Sequence, residues 1–131
     1  MTSAIREVLI VDDDPLVAEI FRRVLNDRGH HTAIAVNGRA AIKLMAHRKF
    51  DFVLLDVFMP DKDGIETLRE MKQTFPNTTI VVTSGGGLRG RFEFLDIALK
   101  LGADGVAHKP ISPEVLIGMV DRGEFPNGST I

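Results

Sequence analysis

Acids, hydroxyls and a lysine stand at the ends of short apolar runs in this sequence. Val8-Leu9-Ile10-Val11 leads into Asp12, Asp13 and Asp14; Phe52-Val53-Leu54-Leu55 leads into Asp56; Ile80-Val81-Val82 leads into Thr83 and Ser84; and Val106-Ala107-His108 leads into Lys109. Such runs, rich in β-branched residues, read as strands buried on both faces of a parallel sheet. If the first and third strands are neighbours, about 4.8 Å apart, three carboxylates converge on one small volume. Three like charges that close are unfavourable unless something neutralises them. A hard divalent cation does so, and Mg²⁺, which takes oxygen ligands and keeps waters that a phosphate replaces, suits a site with few carboxylates. A lysine ammonium and a hydroxyl opposite would donate to phosphoryl oxygens. A carboxylate so neutralised is itself a possible nucleophile. Asp56, alone at the end of its strand, fits that role, whereas Asp12 and Asp13 form the adjacent pair expected of metal ligands. Any one aspartate taken singly serves as a helix cap about as often as a ligand, and Asp14 before Pro15 reads as a cap. The hydroxyl comes from Thr83 or Ser84.

The elements that must position these residues alternate along the chain. Pro15 opens a helix whose apolar residues Val17, Ile20, Phe21, Val24 and Leu25 fall at helical spacing, and Gly29 stops it. A weak strand over 32–36 follows, then a helix with Ala41, Ile42 and Met45 on one face, then the strong strand before Asp56. Ile65, Leu68, Met71 and Phe75 mark a third helix, and Pro76-Asn77 turns the chain. A fourth helix is expected over about residues 90–101, closed by Gly102, and a last one from Pro113 to about Asp121. Five strands alternating with five helices imply a doubly wound α/β fold: a five-stranded parallel sheet, flavodoxin-like order 2-1-3-4-5, helices on both faces. In such sheets ligands bind outside the carboxyl ends of the strands, at the switch point between strands 1 and 3.

At 131 residues and 44% hydrophobic, the chain can bury one core without staples, so a single domain is expected over 1–122 with a flexible tail over 123–131. Net charge is −2, which draws the surface toward neither nucleic acid nor an anionic membrane. Cysteine is absent, excluding disulfides and thiol catalysis. No apolar run approaches the roughly 18 residues that span a bilayer, and the first residues lack the features of a signal peptide. A cytoplasmic location is the expectation.

Three blocks, Val8-Leu9-Ile10-Val11-Asp12-Asp13-Asp14-Pro15, Leu54-Leu55-Asp56-Val57-Phe58-Met59-Pro60-Asp61-Lys62-Asp63-Gly64 and His108-Lys109-Pro110, resemble those of response-regulator receiver domains, in order and over about residues 5–122. The resemblance implies that Asp56 accepts a phosphoryl group from a histidine kinase or phosphotransfer protein. It implies that Asp13, Asp56 and the Phe58 carbonyl bind Mg²⁺, with Asp12 assisting through water. It further implies that Lys109 pairs with the phosphoryl group, that Ser84, placed at the family's hydroxyl position by aligning Gly85 with the small residue that follows it, senses that group, and that the Lys109-Pro110 bond is cis. Beyond self-phosphorylation and dephosphorylation no enzymatic turnover is expected. With no room for an output domain after residue 122, the phosphorylated state should act by binding a downstream protein, or as a homodimer through the face between the fourth and fifth helices. Two departures matter: Val106 stands where many family members carry a switching aromatic, and Gly85, Gly86, Gly87 and Gly90 crowd the loop after Ser84. Ordering of residues 85–91 is therefore the expected readout.

Other readings are weaker. Gly85-Gly86-Gly87-Leu88-Arg89-Gly90 matches a dinucleotide fingerprint, with Asp104 downstream, but only one strand remains after it, too little for the rest of that unit. Asp61, Asp63, Gly64 and Glu70 sit at EF-hand spacing, but Met59 occupies the first ligand position. An aspartyl-nucleophile phosphohydrolase would want an acid two residues after Asp56, where Phe58 stands. The four histidines read as structural or surface residues. Arg22, Arg23 and Arg28 read as a solvated face, and Phe94, Ile97 and Leu101 as a potential contact stripe.

Overall fold

The computed structural model describes residues 4–57, 64–84 and 91–126, the side chains of 91–95 excepted. Within them strands and helices alternate: β1 (Glu7–Val11), α1 (Pro15–Asp27), β2 (His31–Ala35), α2 (Gly38–His47), β3 (Phe52–Asp56), α3 (Gly64–Thr74), β4 (Thr79–Ser84), α4 (Arg91–Lys100), β5 (Gly105–His108) and α5 (Pro113–Arg122). The sheet is wholly parallel, in the order β2-β1-β3-β4-β5, as expected. β2 starts and ends one residue earlier than its apolar pattern predicts, because pairing of Glu7 with His31 sets its register against β1.

Strand alternation divides the core in two. Leu9, Val11, Val53, Leu55, Ile80, Val82 and Val106 pack against Ala41 and Met45 of α2, Leu68 and Met71 of α3 and Ala98 of α4. Val8, Ile10, Phe52, Leu54, Val81 and Ala107 face Ala18, Phe21 and Leu25 of α1 and Leu116, Met119 and Val120 of α5. A strand with residues in both clusters has no solvent face, which is why these runs are apolar throughout.

Three helices, α1, α2 and α5, begin where the sequence supplies a cap. The Asp14 side chain accepts from the Leu16 and Val17 N–H groups, Asn37 from Ala40, and Ser112 from Val115. Pro15 and Pro113 occupy the first turn, where no backbone donor is needed. Gly64 starts α3 pressed against the end of β3: a Cβ there would lie 2.5 Å from the Val57 Cα and 2.9 Å from the Asp56 carbonyl oxygen. That approach fixes how closely α3 abuts the strand carrying Asp56. At the other end of α5, Gly123 closes the helix in the left-handed region (φ 68°). The expected loose tail does not leave the domain at that point. Phe125 packs onto Gly105 and the core between the sheet and α1/α5.

Two histidines hold the edge remote from the strand ends, as structural residues. Buried His30 accepts from the Arg6 N–H at Nδ1 and meets Asp121 through Nε2 at 2.5 Å, while Arg28 also pairs with Asp121. His31 pairs with Glu7 at the surface. Burial pushes the Asp121 carboxyl up, but hydrogen bonds from His30 and Arg28 outweigh it and hold its pKa below the usual carboxylate value. A depressed folded-state pKa gives stability that is complete above the unfolded value of about 3.9 and lost as pH falls through the folded value. Asp121→Asn is expected to cost roughly 1–3 kcal/mol at neutral pH. It should also flatten the acid limb of stability, as urea denaturation at about pH 7 and about pH 3 would measure.

Candidate functional site

Two strands, β1 and β3, bring the carboxylates together. The β1–β3 register pairs Ile10 with Leu54 and Val11 with Leu55, so the next step along each strand sets Asp12 beside Asp56. By strand alternation both fall on the α1/α5 side of the sheet, with Ile10 and Leu54, and both are buried, 2% and 5% exposed. Asp13, one residue further, is exposed. One oxygen from each of Asp12, Asp13 and Asp56 lies within 4.8 Å of the others. The expected convergence therefore exists, although burying two of the three acids opposes their charged forms.

What offsets that cost is Lys109. β4 pairs Ser84 with His108, and the Lys109 N–H donates to the Ser84 carbonyl, which carries the lysine to the same edge. Its Nζ lies 2.6 Å from Asp12 Oδ2 and 3.3 Å from Asp56 Oδ2. Burial alone would lower the ammonium's pKa, but the hydrogen bond to Asp12 and the charges of Asp56 and Asp12 prevail and raise it. Lys109 is thus a fixed cation between two acids. The peptide bond that follows it, Lys109–Pro110, is cis, as the resemblance implies.

Asp12 has little spare capacity. Its Oδ1 accepts from the Asp14 N–H at 2.9 Å and its Oδ2 from Lys109. That arrangement suits a carboxylate acting on a cation through water better than one bound to it directly. Asp14 is a cap, the reading its sequence position allowed.

Of the two candidate hydroxyls, alternation sends Thr83 to the side of Val81 and Asp56, and Ser84 to the side of Val82 and Val106. Ser84 is fully buried, and its Oγ has no hydrogen-bond partner among the described residues. A buried hydroxyl without a partner costs on the order of 1–3 kcal/mol, so it is poised to take one. Val106 is buried on that same face, so the β5 position beside the serine carries an aliphatic side chain and not an aromatic ring. Phe58 and the glycine loop lie outside the described residues. In the expected stripe on α4, Ile97 is exposed but Leu101 packs against the core, so the two do not share a surface; the side chain of Phe94 is not described.

Sequence reasoning missed an apolar wall beside the acids. A cavity of about 530 Å³ reaches from Asp12, Asp13, Asp56 and Lys109 to Val17, Ile20 and Phe21 of α1 and to Pro110 and Ile111. The signal was present in Ile20, which lies at helical spacing on α1 but outside the buried Ala18-Phe21-Leu25 stripe and is 55% exposed.

A five-stranded parallel sheet in this order, with acids and a lysine at its carboxyl edge, defines the receiver class of signalling domain. The chain belongs to the response regulator receiver domain family, which matches residues 8–121. It is 33% identical over 114 residues to the transcriptional regulatory protein CpxR of Klebsiella pneumoniae, covering 87% of this chain and 47% of that one. It is 38% identical over 111 residues to the response regulator MprA of Mycolicibacterium vanbaalenii, covering 84% and 46%. The chain therefore spans about half the length of the curated relatives it matches. Among solved structures it resembles the chemotaxis protein CheY4 of Vibrio cholerae (TM-score 0.81, 27% identity, 91% and 98% coverage). It also resembles a Burkholderia pseudomallei response regulator crystallised with a phosphorylated aspartic acid and a calcium ion (TM-score 0.77, 26% identity, 86% and 65% coverage). No helix among the described residues is long and apolar enough to cross a membrane.

Proposed function

We propose that this receiver is a switch in which Asp56 accepts a phosphoryl group from a phosphohistidine on a histidine kinase or phosphotransfer protein. The observation that carries this reading is the placement of Lys109 between Asp12 and Asp56 beside a three-carboxylate cluster. An Asp56 oxygen attacks phosphorus, the bond from phosphorus to the donor imidazole nitrogen breaks, and the nitrogen keeps the electron pair. Asp13 and Asp56 would hold Mg²⁺ directly and Asp12 through water, a fit supported by the 4.8 Å grouping and by the two hydrogen bonds already held by Asp12. The cation, when bound, neutralises charge on the transferring group. Lys109 binds a phosphoryl oxygen, and Ser84, whose hydroxyl has no partner among the described residues, donates to another. Movement of Ser84 toward Asp56 draws the end of β4 with it.

The product is an altered surface and not a released chemical, so the output is a change in protein binding. Exposed Ile97 and Leu99 on α4 and Val115 on α5 make that face a route for it, including self-association.

Peptide mapping after incubation with Mg²⁺ and acetyl phosphate tests the reading. A base-labile adduct should fall on the peptide containing Asp56, and an adduct confined to any other peptide overturns it. Asp13→Ala should weaken Mg²⁺ binding by on the order of tenfold or more, since it removes a direct carboxylate ligand. Titration calorimetry with an unchanged affinity would remove Asp13 from the metal set.

A further inference from the structure

We propose that the apolar wall beside Asp56 binds the leaving group of small-molecule phosphoryl donors, so that the protein prefers acyl phosphates with longer acyl chains to acetyl phosphate. The inference rests on Asp56 being the phosphoryl acceptor. The cavity has two chemically different parts: Asp12, Asp13, Asp14, Asp56 and Lys109 line one, and Val17, Ile20, Phe21, Pro110 and Ile111 the other. Its volume of about 530 Å³ falls within the range of small-ligand sites, roughly 300–1,000 Å³. A phosphoryl group with its cation needs the charged end alone. The remaining space is walled by side chains that offer no hydrogen bond, so it suits a short hydrocarbon attached to that phosphoryl group.

The wall borders the core and carries one residue, Ile20, that stands outside it. Ala18, Phe21 and Leu25 form the buried stripe of α1, and Ile20 lies beside it, 55% exposed. Ile111 is half-buried against the α1/α5 core and faces the same cavity from beyond Lys109. The two isoleucines thus line the same cavity as the charged residues from two different elements. An Asp56 oxygen attacks phosphorus, the bond between phosphorus and the acyl oxygen breaks, and the carboxylate leaves with the electron pair. No proton is required and charge is conserved. The hydrocarbon stays against the wall while the carboxylate turns to water.

A fully buried methylene favours binding about fourfold, and partial burial gives less. Butyryl phosphate, with two more methylenes than acetyl phosphate, should phosphorylate Asp56 about five- to tenfold faster at subsaturating concentration. Acetate, propionate and butyrate have nearly equal basicity, so intrinsic donor reactivity does not produce that order. Initial rates with acetyl, propionyl and butyryl phosphate, read by intact mass, give the test. In Ile20→Ser and Ile111→Ser the butyryl-to-acetyl ratio should fall toward one. A readout independent of transfer is the methyl NMR shifts of Ile20 and Ile111, which butylphosphonate with Mg²⁺ should move more than methylphosphonate does. Equal rates for the three donors on wild type overturn the donor preference while leaving Asp56 as acceptor. A ratio that persists in both serine variants overturns the assignment of the wall. Equal donor rates combined with slower transfer from a phosphohistidine protein in Ile20→Ser would assign the wall to a protein partner instead. Failure of every donor to label Asp56 would sink the acceptor reading itself.

Discussion

Asp56→Asn is expected to lose phosphorylation by Mg²⁺ and acetyl phosphate, on the order of 10³-fold or more, with no second residue taking its place. Loss of the attacking group removes the covalent step and not merely its efficiency. Asp12 and Asp13 lie within reach of the same volume, but they are poor substitutes. Asp12 is held by Lys109 and the Asp14 N–H, and Asp13 is exposed at the start of the loop. Asparagine keeps the shape of the side chain, so the fold should survive, and near-identical thermal unfolding would establish that. Intact-mass spectra of both proteins, with brief base treatment to strip the acyl phosphate, are the measurement. Equal labelling of parent and variant would displace Asp56 from the acceptor role.

The second large effect is expected at Lys109. Lys109→Ala should slow transfer onto Asp56 by on the order of 10²–10³, the usual consequence of removing a preorganised donor aimed at developing charge. The same change removes the ammonium that lies between Asp12 and Asp56, leaving two buried carboxylates facing each other. Their like charges then repel each other across the site. Raising Mg²⁺ should therefore recover part of the rate in Lys109→Ala, because a divalent cation replaces some of the missing charge, but it cannot supply the donor. Lys109→Arg should recover only part as well, since a planar guanidinium does not place its donors where a compact ammonium does. Initial rates across a Mg²⁺ series separate the two contributions. A wild-type rate in Lys109→Ala would show that the lysine serves the resting charge balance alone.

The sequence by itself determined the architecture and the location of the site. The runs 8–11, 52–55 and 80–82 are apolar without alternation, which only a strand covered on both faces requires. Their alternation with helical periods leaves parallel pairing, and the strand order then places Asp12, Asp56 and Lys109 at one edge. Caps were legible at Asp14 and in the prolines that open α1 and α5, because capping is local chemistry. Long-range choices were not. Thr83 and Ser84 are adjacent hydroxyls, and only the β4–β5 register and the packing around it show that the fully buried one without a partner among the described residues is Ser84. Nor does any local pattern say that Lys109 lies closer to Asp12 than to Asp56, a difference set by how the strand ends meet. His30 and Asp121, 91 residues apart, become partners through the packing of α1 against α5. The apolar wall belongs with these: Ile20 and Ile111 come together across a cavity because α1 and the turn after β5 lie on the same face of the sheet. Periodicity reports which face a residue occupies on its own element, whereas a site is made of faces from different elements, and only tertiary packing chooses which of them meet.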